Sequence, residues 1–412
     1  MRKRHHTGWG APLAAAALVL ALAAYLISSP GAAPPQDYES LRLYTEALYE
    51  ISQKYVTPRS EEDMIYGSLR GMMNSLDPDC SFLTAREYQD YLEGKKGPGA
   101  EAGIELVYKD NLLTVASALD GGPASRAGLR PGDHILKING QLVRNLTTQE
   151  GARRFQGPPG TTLKLQVLRN GLVKPLDLSV TLEPLKMGST VNHQILKDSI
   201  GYIRIKFFTD DTPRELAAAL KMLQGQQPLV KGVILDLRNN ARGSMEQAVR
   251  TASVLLGEKE IVSARGRTPE GTQTYTGKAR ELALKSPLPL VVLTDQGTAR
   301  AAEIVAGALK DQARAMLLGA KTLGLCGLTK ALPLQDGSAL VMTVAACYTP
   351  SGNKIQGKGL ETEVAGKAPP PGPPPTAEAA APPAPDKDPW VLQAADFLKS
   401  GKAKPGAAKS QT

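Results

Sequence analysis

Apolar positions recur with two different periods along this chain, and the change of period divides it. From 38 to 53, Leu41, Leu43, Leu48 and Ile51 fall at helical spacing, and 62–73 reads the same way. Leu76-Asp77-Pro78-Asp79 ends the helical stretch, because proline disfavours helical geometry in the residue before it. Lys95-Lys96-Gly97-Pro98-Gly99 reads as a loop. Between 100 and 184 the apolar runs are short and bounded by Gly, Pro or Asn. They predict strands over 112–116, 135–138, 163–168 and 176–180. From Ser199 strands alternate with helices: strands over 200–206, 232–237 and 289–293, helices over 213–223, 245–256 and 299–312. That alternation predicts an α/β layer with a largely parallel sheet. Asp336-Gly337, between the apolar runs 331–334 and 340–347, predicts a two-residue hairpin turn. The Pro- and Ala-rich stretch 365–385 cannot pack and reads as a linker, followed by a short amphipathic helix over 390–398.

The N-terminus carries an address. Arg2-Lys3-Arg4 precedes an uncharged Ala/Leu-rich run over 11–27, of a length between a signal peptide and a membrane span. An uncleaved anchor and a removed signal both fit, and Pro34 disfavours cleavage after Ala33 because it lacks the N–H of an extended substrate. The basic flank puts Met1 in the cytoplasm and the chain beyond about residue 30 outside it, an extracytoplasmic location. The net charge of +9 is scattered among acidic residues, with no basic and aromatic stripe for nucleic acid. Cys80, Cys326 and Cys347 lack metal-ligand spacing, and His134 and His193 stand alone, so neither a metal nor a cofactor is expected.

The run from Gly121 through Pro123 and Gly128 to Gly132-Asp133, followed by the strand Ile135 to Ile138 and the turn Asn139-Gly140, closely resembles a PDZ-domain core. Such a domain takes a peptide's last residues as an added strand at a sheet edge. The resemblance implies that backbone N–H groups of Ala102, Gly103 and Ile104 hold the terminal carboxylate; a PDZ fold kept only as a lid is the alternative. Six further segments, among them Leu235-Asp236-Leu237-Arg238-Asn239-Asn240, Ala302 to Leu309 and Ile355-Gln356-Gly357-Lys358-Gly359, resemble the carboxyl-terminal processing peptidases, or tail-specific proteases. The resemblance implies a protease-like α/β core with ClpP- or crotonase-like layers, a β-rich PDZ domain, a small N-terminal helical region and an N-terminal membrane segment. The expected organisation is anchor and tether 1–36, helical region 37–96, PDZ domain 97–184, protease-like domain 185–366, linker 367–388, and C-terminal helix and tail 389–412.

That family cuts peptides by acyl transfer, with a serine nucleophile and a neutral lysine as base. Its serine segment, Ser-Ala-Ser-Ala-Ser-Glu-Ile, corresponds to Thr298-Ala299-Arg300-Ala301-Ala302-Glu303-Ile304, so the nucleophile's position is Arg300. The lysine's position is Leu325, and a glutamine found in some members falls at Thr329. The Asn-Asn-Pro-Gly-Gly segment bordering the oxyanion hole reads Asn239-Asn240-Ala241-Arg242-Gly243. A guanidinium stays protonated and cannot attack, and leucine has no nitrogen to act as base. An inactive relative is therefore expected, binding protein C-terminal tails as scaffold or regulator, alone as a homodimer or with an active relative. The alternative is an active enzyme with a relocated Thr298/Lys321 dyad. Arg300 needs an anionic partner: Glu303, Asp236 or a ligand carboxylate. A hairpin turn at Asp336-Gly337 sets Gln335 opposite Ser338 and, counting outward, Cys326 opposite Cys347. This is a candidate disulfide at a non-hydrogen-bonded pair, against the alternative of two buried thiols.

Overall fold

The sheets of this chain, seen in a computed structural model, follow the two periods of the sequence. The structure describes residues 39–93, 99–109, 112–143, 148–185, 188–225, 229–268, 271–281, 283, 288–367 and 383–401. The chain divides into two compact units, residues 1–65 and 66–412. Helix α1 (Glu39–Lys54) lies in the first, and α2 (Glu61–Asn74) crosses the boundary. The anchor expected over 1–36 lies outside the described residues, as does most of the expected linker. Among the described residues no helix is long and apolar enough to cross a membrane.

In the second unit, β1 (Ser81–Leu83) and α3 (Ala85–Leu92) lead into a β-rich region. Its elements are β2 (Ala100–Glu101), β3 (Ile104–Lys109), β4 (Leu112–Ala118), α4 (Pro123–Arg126), β5 (His134–Ile138), β6 (Gln141–Leu142), α5 (Thr148–Arg153), β7 (Gln156–Gly157), β8 (Thr162–Leu168) and β9 (Leu176–Thr181). The sheet runs β3-β4-β5-β8-β9, with β6 on β5, so β3 is an edge strand. In β8, buried Leu163, Leu165 and Val167 alternate with Thr162 and Lys164, the pattern of a strand with one face on the core. They close over Leu113, Ile135 and Phe155.

The rest is two further sheets and their helices. The strands are β10 (Val191–Leu196), β11 (Ile200–Ile205), β12 (Gly232–Asp236), β13 (Glu260–Gly266), β14 (Gln273–Thr276), β15 (Leu290–Thr294), β16 (Met316–Gly319), β17 (Gly327–Pro333), β18 (Ala339–Tyr348) and β19 (Val364–Ala365). The helices are α6 (Thr212–Gln224), α7 (Met245–Leu256), α8 (Ala301–Asp311) and α9 (Pro389–Lys399). One sheet has the order β10-β11-β12-β15-β16-β19, all parallel except the β10–β11 pair. Every residue of β12 and β15 is buried, which is why both read as unbroken apolar runs. Helices α6, α7 and α8 cover one face through Leu220, Ala252 and Val305. Helix α9 covers the other through Val391, Ala394 and Leu398.

The second sheet runs β1-β18-β13-β14, with β17 paired to β18. Its hairpin differs from the expected one. Leu334 N–H donates to Ser338 O (2.7 Å), so the loop has three residues and Gln335 does not face Ser338. A bulge between Leu328 and Thr329 then shifts the register back, and Gly327 faces Ala346. Cys326 and Cys347 are disulfide-linked with Cα atoms 5.4 Å apart. Cys347 N–H donates to Cys326 O (2.9 Å), so this is a hydrogen-bonded position, not the closer non-bonded one.

Candidate functional site

Three turns converge where the sequence put its candidate chemistry: 237–243 after β12, 295–300 between β15 and α8, and 322–326 before β17. Backbone bonds join them. Ala299 N–H donates to Asn240 O (2.9 Å), Leu323 N–H to Thr298 O (3.0 Å) and Arg300 N–H to Leu325 O (2.8 Å). Positions 300 and 325, far apart in sequence, are thus in direct contact. Arg300 caps α8 with φ +53°, a value rarely adopted by a side-chain-bearing residue, which is why the helix starts at Ala301 and not at 299. Gly243 has φ +138°, and a Cβ there would lie 2.5 Å from Phe208 Cβ, so only glycine fits that turn.

Glu303 braces the third turn. Its carboxylate, fully buried, accepts from the Thr322 hydroxyl and from the N–H groups of Gly324 (2.7 Å) and Leu325 (2.9 Å). Burial pushes the carboxyl up to about 7, against the pull of these donors. Asp236 is also fully buried and accepts from Tyr202 Oη (2.8 Å), Arg204 Nη1 (2.8 Å) and Arg238 N (3.0 Å). Burial acts to raise it, but the two guanidiniums outweigh burial and hold it well below the carboxylate range. Arg204 reaches on to Asp120 (2.7 Å), and Arg238 to Asp388 (2.8 Å), tying four stretches of chain together.

Both acids are therefore committed, and Arg300 pairs with neither. Its Nη2 lies 2.6 Å from Asp79 Oδ1, in the break after α2; the Asp79 side chain is 4% exposed and that of Arg300 31%. Burial works against the guanidinium's charge, but Asp79 and Glu105 outweigh it and raise its pKa. Leu325 is buried in one apolar cluster with Val107 of β3, Ala116 of β4, Ala241 and Ala299. Arg242 reaches the same strand, its Nε 2.6 Å from Glu105 Oε1, with Glu101 further off.

The fallback residues are engaged separately. The Thr298 hydroxyl is fully buried, donating to Leu237 O (3.0 Å) and accepting from Asp295 N–H (2.9 Å). Lys321 is more than half exposed and paired with Glu361 at 2.6 Å. Thr329 is exposed on β17, opposite Thr343. In the stretch expected to hold a peptide carboxylate, Ala102 N–H is already given to Phe155 O (3.0 Å), and Gly103 and Ile104 line a cavity of about 10 Å³ beside Arg242. The ion-pair partners Asp79 and Glu105 are the residues of this site that sequence reasoning missed. A single acid carries no periodic or motif signal.

Residues 199–365 match peptidase family S41, and residues 114–169 match the PDZ domain. The carboxy-terminal-processing protease of Bartonella bacilliformis is 36% identical over 329 residues, covering 79% of this chain and 75% of that protein. The chain belongs to the carboxy-terminal processing protease family. The carboxy-terminal processing protease CtpA of Bacillus subtilis is 31% identical over 326 residues, 79% of this chain and 68% of that one. The solved photosystem II D1 C-terminal processing protease superposes with a TM-score of 0.65 at 26% identity, over 79% of this chain and 92% of that one. Family membership accounts for the convergent turns, since the segments that carry the resemblance are those that build them.

Proposed function

We propose that this chain is a catalytically inactive member of the carboxy-terminal processing proteases, held outside the cytoplasm by its N-terminal segment. It binds free C-terminal tails of other proteins through its PDZ region and acts as a scaffold or regulator, as a homodimer or beside an active relative. One observation carries the reading: the two positions corresponding to nucleophile and base touch each other, yet hold an ion-paired arginine and a buried leucine. A guanidinium paired to Asp79 has no lone pair to offer a carbonyl, and an apolar side chain cannot take a proton. Loss of one such residue in a well-studied serine protease costs roughly a millionfold in turnover. The outer location rests on the basic and apolar N-terminus and is supported by the Cys326–Cys347 bridge, which persists in oxidising compartments.

The test is direct. The full-length chain, purified in detergent, is incubated with unfolded casein and with a short peptide ending in valine. Binding of the peptide without cleavage of either substrate is the expected result. Cleavage that disappears in Thr298→Ala would establish the relocated dyad instead.

A further inference from the structure

Arg242 stands where the strand expected to receive a tail meets the turn expected to border an oxyanion. Its guanidinium and Gly103, Ile104, Glu105 and Lys206 line one cavity of about 10 Å³, room for no more than a single water. What fills the space is the chain itself: Glu105 Oε1 lies 2.6 Å from Arg242 Nε. Among the described residues Lys206 has no carboxylate partner. The Ala102 N–H is given to Phe155 O, which removes one of the three backbone donors that a terminal carboxylate would use. A site with fewer amides needs another positive group, and a planar guanidinium suits a carboxylate best.

We propose that Arg242 is the receptor for the ligand's terminal carboxylate, and that Glu105 occupies it until a tail arrives. The inference rests on the tail-binding reading and adds its specificity-determining residue. Binding is an exchange of one carboxylate for another on the same guanidinium. The tail adds as a strand beside β3, its end reaches Arg242 and Lys206, and the Glu105 side chain swings out to water. The intrachain pair thereby lowers affinity for any ligand that lacks a free carboxyl group, because such a ligand would leave Arg242 without its partner.

Fluorescence anisotropy on the full-length chain in detergent tests the exchange, with a labelled peptide ending in valine as the free acid and as the C-terminal amide. Glu105→Gln should bind the acid about tenfold more tightly and Arg242→Ala about tenfold more weakly, while the amide, which no longer breaks the pair, should bind either variant at least as tightly as the wild type. Arg242→Lys should retain part of the preference for the acid, which separates loss of charge from loss of fold. If the wild type prefers acid to amide and Arg242→Ala keeps that preference, the exchange is wrong and the tail-binding reading stands. If wild type and Glu105→Gln bind acid and amide alike, or neither, the tail-binding reading itself fails and the exchange with it.

Discussion

Glu303 shows how one buried acid can tie a site's geometry to pH. Its carboxyl, pushed up to about 7 by burial, sits above its value in the unfolded chain. A carboxyl raised in this way stabilises the fold fully below its unfolded pKa, and that contribution is lost as pH rises through the native one. Glu303→Gln removes the titration. The stability of the wild type minus that of the variant, by urea denaturation, should therefore shrink by about 2–3 kcal/mol between about pH 4.5 and about pH 8. A difference that grows with pH would mean that the donors from Thr322, Gly324 and Leu325 win over burial and keep the group ionised. At this scale the sequence was half legible. Positions 300 and 325 were singled out because ordered segments around them resemble a family, and the structure sets the two in backbone contact. The partner of Arg300 was not, because Glu303 and Asp236 were nearest in sequence or motif while Asp79 came from a distant break whose only visible signal was Pro78.

Elements were legible where burial left a strong pattern. Strands β12 and β15 are apolar on both faces and were read to within a residue or so, as was α7 over 245–256. Strand β10, exposed along most of its length at a sheet edge, and the partly exposed β14 carry no such pattern and went unread. The β17–β18 hairpin was placed but its loop was taken one residue short. Gly337 adopts φ +84° in a three-residue loop, and the later bulge restores the pairing of Cys326 with Cys347. That bridge spans 21 residues, so reducing it should lower stability by about 3 kcal/mol. Melting curves with and without reductant check this, and a Cys347→Ser variant that melts no lower than the oxidised wild type would refute it. Helix α9 docks through a close approach: a Cβ at Gly366 would fall 2.4 Å from Trp390 Cε2. Gly366→Ala should displace Trp390, whose ring lies under Arg238 at 5.4 Å, and cost about 1–3 kcal/mol. A red shift of tryptophan emission reports the undocking; unchanged emission and stability would show that the sheet end yields instead.

At the scale of the whole molecule, the surroundings of positions 300 and 325 reach well beyond those two residues. The break at Asp79, the edge strand β3 and the three turns all meet there, and each supplies a group fitted to its neighbour. Arg300→Ser would leave the Asp79 carboxylate, 4% exposed, without its counter-charge. Leu325→Lys would place an ammonium among Val107, Ala116, Ala241 and Ala299, where a buried unpaired charge costs about 3–5 kcal/mol. The new lysine would then either lose its proton in place, beside a serine that Arg242 and Glu105 still crowd, or push β3 and β4 off the turns. The double variant Arg300→Ser with Leu325→Lys should accordingly melt lower than the wild type and leave unfolded casein uncut. Adding Arg242→Gly removes the remaining ion pair to β3 and restores the turn's glycine pair, so any activity should first appear in the triple variant. Casein cleavage by the double variant alone would mean that the surrounding contacts adapt freely, and that the residues at 300 and 325 by themselves decide whether the chain can cut.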